Sequence, residues 1–138
     1  MRVRARSLSR SAIAVCAALA LAQAGCGRKA SSAELPASEL LAGIHANAAP
    51  LILDVRTPEE FAQGHVPGAT LVPVQELEAR LGELDAYKTR GVVAYCEVGG
   101  RAGKAAELLR THGFTNVRLL DGSMKRWREE QREVATGS

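Results

Sequence analysis

The chain has 138 residues, 46% apolar and 4% aromatic, which is room for one domain with an aliphatic core. Its formal charge of +3 originates at the amino end: residues 1–25 carry Arg2, Arg4, Arg6 and Arg10 and no acid, leaving 14 Lys and Arg against 15 Asp and Glu from Cys26 onward, or −1. A nearly neutral body without a basic run gives no support to nucleic-acid binding.

Residues 1–25 read as a signal peptide. Met1 to Arg10 is positively charged, Ser11 to Leu21 is apolar but too short to span a bilayer comfortably, and Ala22-Gln23-Ala24 is a small-residue cleavage site. Ala24-Gly25-Cys26 resembles the lipobox of bacterial lipoproteins, with Gln23 where that pattern prefers an aliphatic residue. The expectation is an exported protein at the periplasmic face, anchored to a membrane through a lipid on Cys26. A soluble exported form and an uncleaved anchor are the alternatives. Cleavage removes Cys16 and lipidation consumes Cys26, so Cys96 is the one free thiol of the folded domain and no internal disulfide forms. In an oxidising compartment a lone cysteine needs a reason.

Residues 26–33 read as a tether and 34–134 as the domain. Glu34-Leu35 is a brief edge strand, Pro36 to Leu41 a short helix, and Gly43 to Pro50 a loop holding a solvated His45. Leu51 to Val55 is a buried strand. Thr57, Pro58 and Glu60 have the spacing of an N-cap, an N1 proline and the N3 member of a capping box. Gly64 to Ala69 is a loop in which His65 bonds its own surroundings, and Thr70 to Pro73 is a short strand. Val74, Leu77, Leu81 and Leu84 predict a helix. Gly91 to Tyr95 is a central strand. Ala102, Ala105, Ala106 and Leu109 mark one face of a helix closed by His112-Gly113. Val117 to Leu120 is a late strand, Asp121-Gly122-Ser123 turns into a last helix with Met124 and a core Trp127, and residues 135–138 are a frayed tail. This alternation argues an α/β fold, a parallel sheet with helices on both faces.

The chemistry concentrates in Cys96-Glu97-Val98-Gly99-Gly100-Arg101, between the central strand and the helix that follows. Ligands of open α/β sheets bind at the carboxyl ends of strands. A loop curled there turns backbone N–H groups inward, and the helix end adds roughly half a positive charge. Both favour a thiolate, the nucleophilic form of cysteine. The carboxylate of Glu97, adjacent to Cys96, is expected to oppose this and to repel anionic donors. The bland alternative is a small buried cysteine ending a strand. The glycine pair and Arg101 weigh against it. No metal-ligand spacing, P-loop or other cofactor motif occurs.

Four stretches, in order, resemble the rhodanese family: Leu53 to Phe61, Gly64 to Ala69, the loop Cys96 to Arg101, and Leu120 to Trp127. The resemblance spans about Glu34 to Glu130. It implies a five-stranded parallel sheet and transfer of a sulfane sulfur through a persulfide on Cys96. By the same resemblance Cys96 is the nucleophile, the backbone of Glu97, Val98, Gly99, Gly100 and Arg101 cradles the sulfur, Arg101 is the loop-closing cation, and Asp54 and Arg56 are structural or substrate-orienting groups nearby. The implied partners are a small donor such as thiosulfate or a persulfide and a thiol or cyanide acceptor, with the protein a monomer. Two departures stand out: Glu97 replaces a basic residue common in thiosulfate-using relatives, and Ser123 replaces the second glycine of a Gly-Gly turn. The competing readings are a non-catalytic rhodanese-like binding or regulatory module, against which Cys96 and Arg101 weigh, and an arsenate reductase or phosphatase of related fold. For the latter, the resemblance implies five residues between cysteine and arginine where this chain has four.

Overall fold

The computed structural model describes residues 34–137. The predicted signal peptide, the tether, Cys16, Cys26 and Ser138 lie outside them.

Nine elements run in the order β1 (Glu34–Leu35), α1 (Ala37–His45), β2 (Leu51–Asp54), α2 (Pro58–Gln63), β3 (Thr70–Leu71), β4 (Val92–Tyr95), α3 (Gly100–Thr111), β5 (Val117–Leu120) and α4 (Ser123–Glu129), with a 3-10 helix at Leu81–Tyr87 before β4. The strands form one parallel sheet in the order β1-β5-β4-β2-β3. The inner strands β2 and β4 are short and mostly apolar because both of their faces are covered. β2 and β4 are buried along their whole length and pair from Leu51 with Val92 to Asp54 with Tyr95.

Side-chain alternation divides the core. Leu51, Leu53, Val55, Val92, Ala94 and Val117 face α3 and the 3-10 segment, meeting Ala102, Ala105, Ala106, Leu109 and Leu84. Ile52, Val93, Tyr95 and Leu120 face α1 and α4, meeting Leu40, Met124 and Trp127. The three alanines let α3 approach the sheet closely, which brings its amino end up against the β4 loop. The five-stranded parallel sheet with helices on both faces is therefore as expected.

Three local expectations are corrected. The first helix does not stop at Leu41; α1 continues to His45, and Asn47 ends it with φ +52°, a left-handed conformation that asparagine tolerates. His45 is exposed, as expected, but on a helix end. The segment from Val74 to Leu84 is not an α-helix. Glu76 N–H bonds to Pro73 O, Glu83 to Arg80 and Lys88 to Asp85, all three-residue spans, and residues 81–87 form the 3-10 helix. Leu77 and Leu84 are buried all the same, because spacings of three and four residues suit either helix over so short a run. The end of the chain is not frayed through residue 137. Ala135 and His65 exchange two backbone hydrogen bonds of 2.9 Å, and Gly137 N–H reaches Ala62 O at 3.1 Å. Trp127 Nε1 donates to Glu133 O at 2.7 Å, so the indole needs that segment in place.

At the carboxyl end of β2, Asp54 and Arg56 are 0% and 1% exposed and form a 2.6 Å ion pair. Removing one member of a buried pair leaves an uncompensated charge in the core. Asp54→Ala is accordingly expected to destabilise the fold by about 3–5 kcal/mol, measured by guanidinium unfolding.

Candidate active site

Cys96 follows β4 directly and is 1% exposed. The chain then curls through Glu97 and Val98, takes φ +113° at Gly99, and enters α3 at Gly100. A left-handed residue is required there for the chain to reverse into the helix, and glycine adopts it without a Cβ penalty. The Gly99 N–H donates to Cys96 Sγ at 3.1 Å. It is the one loop amide within hydrogen-bond range of the sulfur among the described residues.

The outer side of the loop is tied down by α4. Met124 N–H donates to Cys96 O, and Lys125 N–H to Glu97 O, both at 3.0 Å. These are amides that a helix start leaves without intrahelical partners. Gly122 and Ser123 aim them at the loop through two successive positive φ values, +68° and +52°. A Cβ at Gly122 would run into the Arg126 side chain, so that position requires glycine, whereas Ser123 carries its side chain in the left-handed region.

Arg101 closes the loop through a partner the sequence did not reveal. Its Nη1 and Nη2 donate to Glu60 Oε2 and Oε1 at 2.6 and 2.7 Å, a bidentate clamp from α3 to α2. The arginine is held above its ordinary range, chiefly by these bonds and to a smaller degree by the neighbouring Cys96 sulfur. Glu60 also completes the capping box: its Oε2 accepts from Thr57 N–H at 3.0 Å, while Thr57 Oγ1 accepts from Glu60 N–H at 3.3 Å. The capping-box spacing was the visible signal. Nothing local showed that the same carboxylate also receives Arg101.

Asp54 and Arg56 lie beneath this layer. Asp54 Oδ1 accepts from the Arg56 backbone N–H and both carboxylate oxygens take its Nε, while Arg56 Nη2 donates to Gly64 O at 2.9 Å. The guanidinium lies 5.6 Å from the Tyr95 ring centre. Burial pushes the Tyr95 phenol up, and the Asp54 charge adds to the effect. The Tyr95 hydroxyl accepts from Val66 N–H at 3.1 Å, joining the loop before β3 to the same network.

The expectation that Glu97 acts as a free negative charge beside the thiol is corrected. Its carboxylate is paired with Arg128 of α4 and lies 3.7 Å from Arg56 Nη1, so its charge is compensated. Val98 at the loop tip is 71% exposed. His65 does not approach the sulfur: its Nδ1 bonds Phe61 O at 2.9 Å and its ring stacks on Phe61 at 3.6 Å. Among the described residues no group of three or more His, Cys, Asp or Glu side chains is placed to hold a metal ion.

The site thus sets a buried cysteine at the end of the central strand of a five-stranded parallel sheet, with one loop amide on its sulfur and a clamped arginine closing the loop. Residues 36–130 match the Rhodanese-like domain family, and the chain belongs to it. It is 37% identical over 70 residues to the thiosulfate sulfurtransferase PspE of Escherichia coli, covering 51% of this chain and 67% of that one. It is 33% identical over 92 residues to the thiosulfate:glutathione sulfurtransferase of Homo sapiens, covering 58% and 80% respectively. Among solved structures, the rhodanese-related protein of Thermoplasma volcanium superposes with a TM-score of 0.67 at 27% identity over 76% of this chain and 99% of that one.

The clamp has a pH signature. The Arg101 hydrogen bonds hold the Glu60 carboxyl down from the ordinary 4.5 to about 2. A depressed carboxyl stabilises the fold above its unfolded value and loses that contribution as pH falls through its folded value. Stability from the clamp is therefore full above pH about 4.5 and lost between about 4.5 and about 2. Thermal melts across this window are expected to show a steeper acid decline for the wild type than for Glu60→Gln.

Proposed function

We propose that this protein is a sulfurtransferase that carries a sulfane sulfur on Cys96. The observation that carries the reading is the Cys96 sulfur at the end of β4, with the Gly99 N–H at 3.1 Å and the Glu60-clamped Arg101 beside it. An amide and a guanidinium at this spot stabilise a thiolate and, after transfer, a persulfide anion.

The reaction proceeds in two displacements. The Cys96 thiolate attacks the terminal sulfur of a donor such as thiosulfate. An Sγ–S bond forms, the donor S–S bond breaks, and sulfite leaves with the bonding electron pair. An acceptor nucleophile, cyanide or a thiolate, then attacks the outer sulfur. The new acceptor–sulfur bond forms, the Sγ–S bond breaks, and the Cys96 thiolate is restored. No general base is needed once the thiol is ionised. The names of the bacterial and human relatives support thiosulfate as donor and a thiol as acceptor.

The tight loop supports sulfur over oxyanion chemistry. A phosphate or arsenate places several oxygens each about 2.7–3.1 Å from a donor. Here one amide is turned onto the sulfur of Cys96, a residue that is 1% exposed. A cradle of that size suits a single added atom.

Cys96→Ser is expected to abolish transfer from thiosulfate to cyanide and to remove the one-sulfur mass increase seen after donor treatment, with an unchanged far-UV spectrum. A serine variant that still transfers sulfur sinks the assignment.

The sequence of residues 1–33 supports a second proposal, that the protein is exported and anchored through Cys26. Native protein is then expected to need detergent for extraction, and Cys26→Ala to release it. A mature protein starting at Gly25 in the soluble periplasmic fraction overturns the anchor.

A further inference from the structure

The segment from Gln131 to Gly137 ties together the two helices that hold the site, α4 and α2. After α4 the chain turns back at Gln131, with φ +52°. Arg132 N–H donates to Trp127 O at 3.2 Å and Trp127 Nε1 to Glu133 O at 2.7 Å, so the segment starts out fixed to α4. The Arg132 guanidinium, 5.7 Å from the Trp127 ring centre, closes the same corner. The segment then crosses to α2. Val134 packs over Gly64, where an added Cβ would meet its side chain at 3.8 Å. Ala135 and His65 exchange two backbone hydrogen bonds of 2.9 Å, and Gly137 N–H reaches Ala62 O at 3.1 Å.

α2 has only six residues, Pro58–Gln63. Helices shorter than about 12–15 residues are marginal on their own, so tertiary contacts decide where one this short sits. Its start is secured by the capping box. A helix end leaves carbonyls without intrahelical partners, and the segment supplies one at Ala62 O. His65, locked to Ala135 through its backbone, stacks on Phe61 of α2, and its Nδ1 bonds Phe61 O. α2 in turn carries Glu60, whose two carboxylate oxygens take the two Nη groups of Arg101. Gly64, beneath Val134, gives its carbonyl to Arg56. Both contacts on the reacting loop's partners thus depend on where α2 is seated.

We propose that residues 131–137 form a strap that positions Arg101 for sulfur transfer, acting through α2 and Glu60. Among the described residues no hydrogen bond runs from the strap to Cys96 or Arg101, so Glu133, Ala135 and Gly137 are positioning residues. Their lever is the seating of a short helix. A bidentate carboxylate–guanidinium contact has strict geometry, so a small shift of α2 breaks one of its two bonds. Arg101 is then free to swing away from the sulfur it neighbours. The proposal rests on the sulfurtransferase reading and adds a third tie to the site, made by backbone groups far from the loop in the chain.

The test uses the full chain with Ala135→Pro, which removes the N–H that donates to His65 O, alone and combined with Glu60→Gln. Sulfur loading from thiosulfate is followed in single turnover by intact mass. The rate constant is taken over the fraction that loads, so unfolded molecules do not enter it. Ala135→Pro is expected to load about tenfold more slowly, with the loss in kcat and KM little changed. Glu60→Gln is expected to slow loading at least as much, and Ala135→Pro added to it to slow loading no further, because both release the same arginine. Gly137→Pro, which removes the N–H on Ala62 O and cannot take that residue's φ of +92°, is expected to lose about threefold. It decides the matter where Ala135→Pro does not fold. The seating of Glu60 is also read without activity: melts between pH about 4.5 and about 2 are expected to show the shallower acid decline of Glu60→Gln in the strap variant. A folded strap variant that loads at the wild-type rate leaves the segment a purely structural role and overturns the proposal. So do losses that multiply in the double variant, or an acid decline that keeps its wild-type steepness. Failure of the wild type to load sulfur overturns the sulfurtransferase reading, and the melts then decide the strap alone.

Discussion

Two hydrogen bonds, from Met124 N–H to Cys96 O and from Lys125 N–H to Glu97 O, set the geometry on which the rest of the site depends. A peptide unit is planar and its C=O and N–H point in opposite directions. Pulling these two carbonyls toward α4 turns the amides of Glu97 and Val98 away from it. With Gly99 in the left-handed region, the loop closes over its own sulfur instead of opening to solvent. The helix start gains as well, since its unpaired amides find acceptors. The Gly122-Ser123 turn is thus part of the site, though neither residue is near the sulfur in sequence. Ser123 shows that the second left-handed position accepts a side chain when the surrounding contacts fix the backbone.

A second set of ties runs from β2 and α2. Asp54 holds Arg56, Arg56 holds the Gly64 carbonyl, and Glu60 serves its own helix cap and Arg101 together. The loop is therefore gripped at its start by α4 and at its end by α2, through elements that lie on either side of β4 in the chain. Such a frame keeps the sulfur and its arginine in register with little freedom to rearrange. Preorganisation of this kind is what allows a few donors to stabilise charge without reorganising at the moment of reaction.

Much of this was legible from the residues. The continuous apolar runs of β2 and β4 and the Ala102, Ala105, Ala106, Leu109 stripe identified buried parallel strands and a close-packed helix, because full burial leaves no polar face to confuse the pattern. Thr57, Pro58 and Glu60 gave the start of α2, since capping acts over three residues. Interactions across the chain were not legible. The Glu60–Arg101 clamp spans 41 residues, and the Glu97–Arg128 pair 31, with no local signal of either. That is why Glu97 read as a bare charge beside the thiol. The 3-10 segment was missed for a different reason: its apolar residues face inward at spacings common to both helix types. The tail looked frayed because its anchorage to His65 and Ala62 is made by backbone groups, which any sequence supplies.

Because every strand runs the same way, the sheet has two poles. Cys96 stands at the pole where strands end, and β1, only two residues long, pairs with the far half of β5: Glu34 is in register with Leu119, which is in register with Ala94 of β4. Glu34 is therefore level with Ala94, two residues before Cys96 along the strand direction and two strands to its side, and whatever precedes it joins the domain at the β1 edge of the sheet. The junction with the preceding chain is thus set apart from the Cys96 loop by the width of two strands and not by the depth of the sheet, which leaves the face above β4, with Val98 exposed at the loop tip, clear of it.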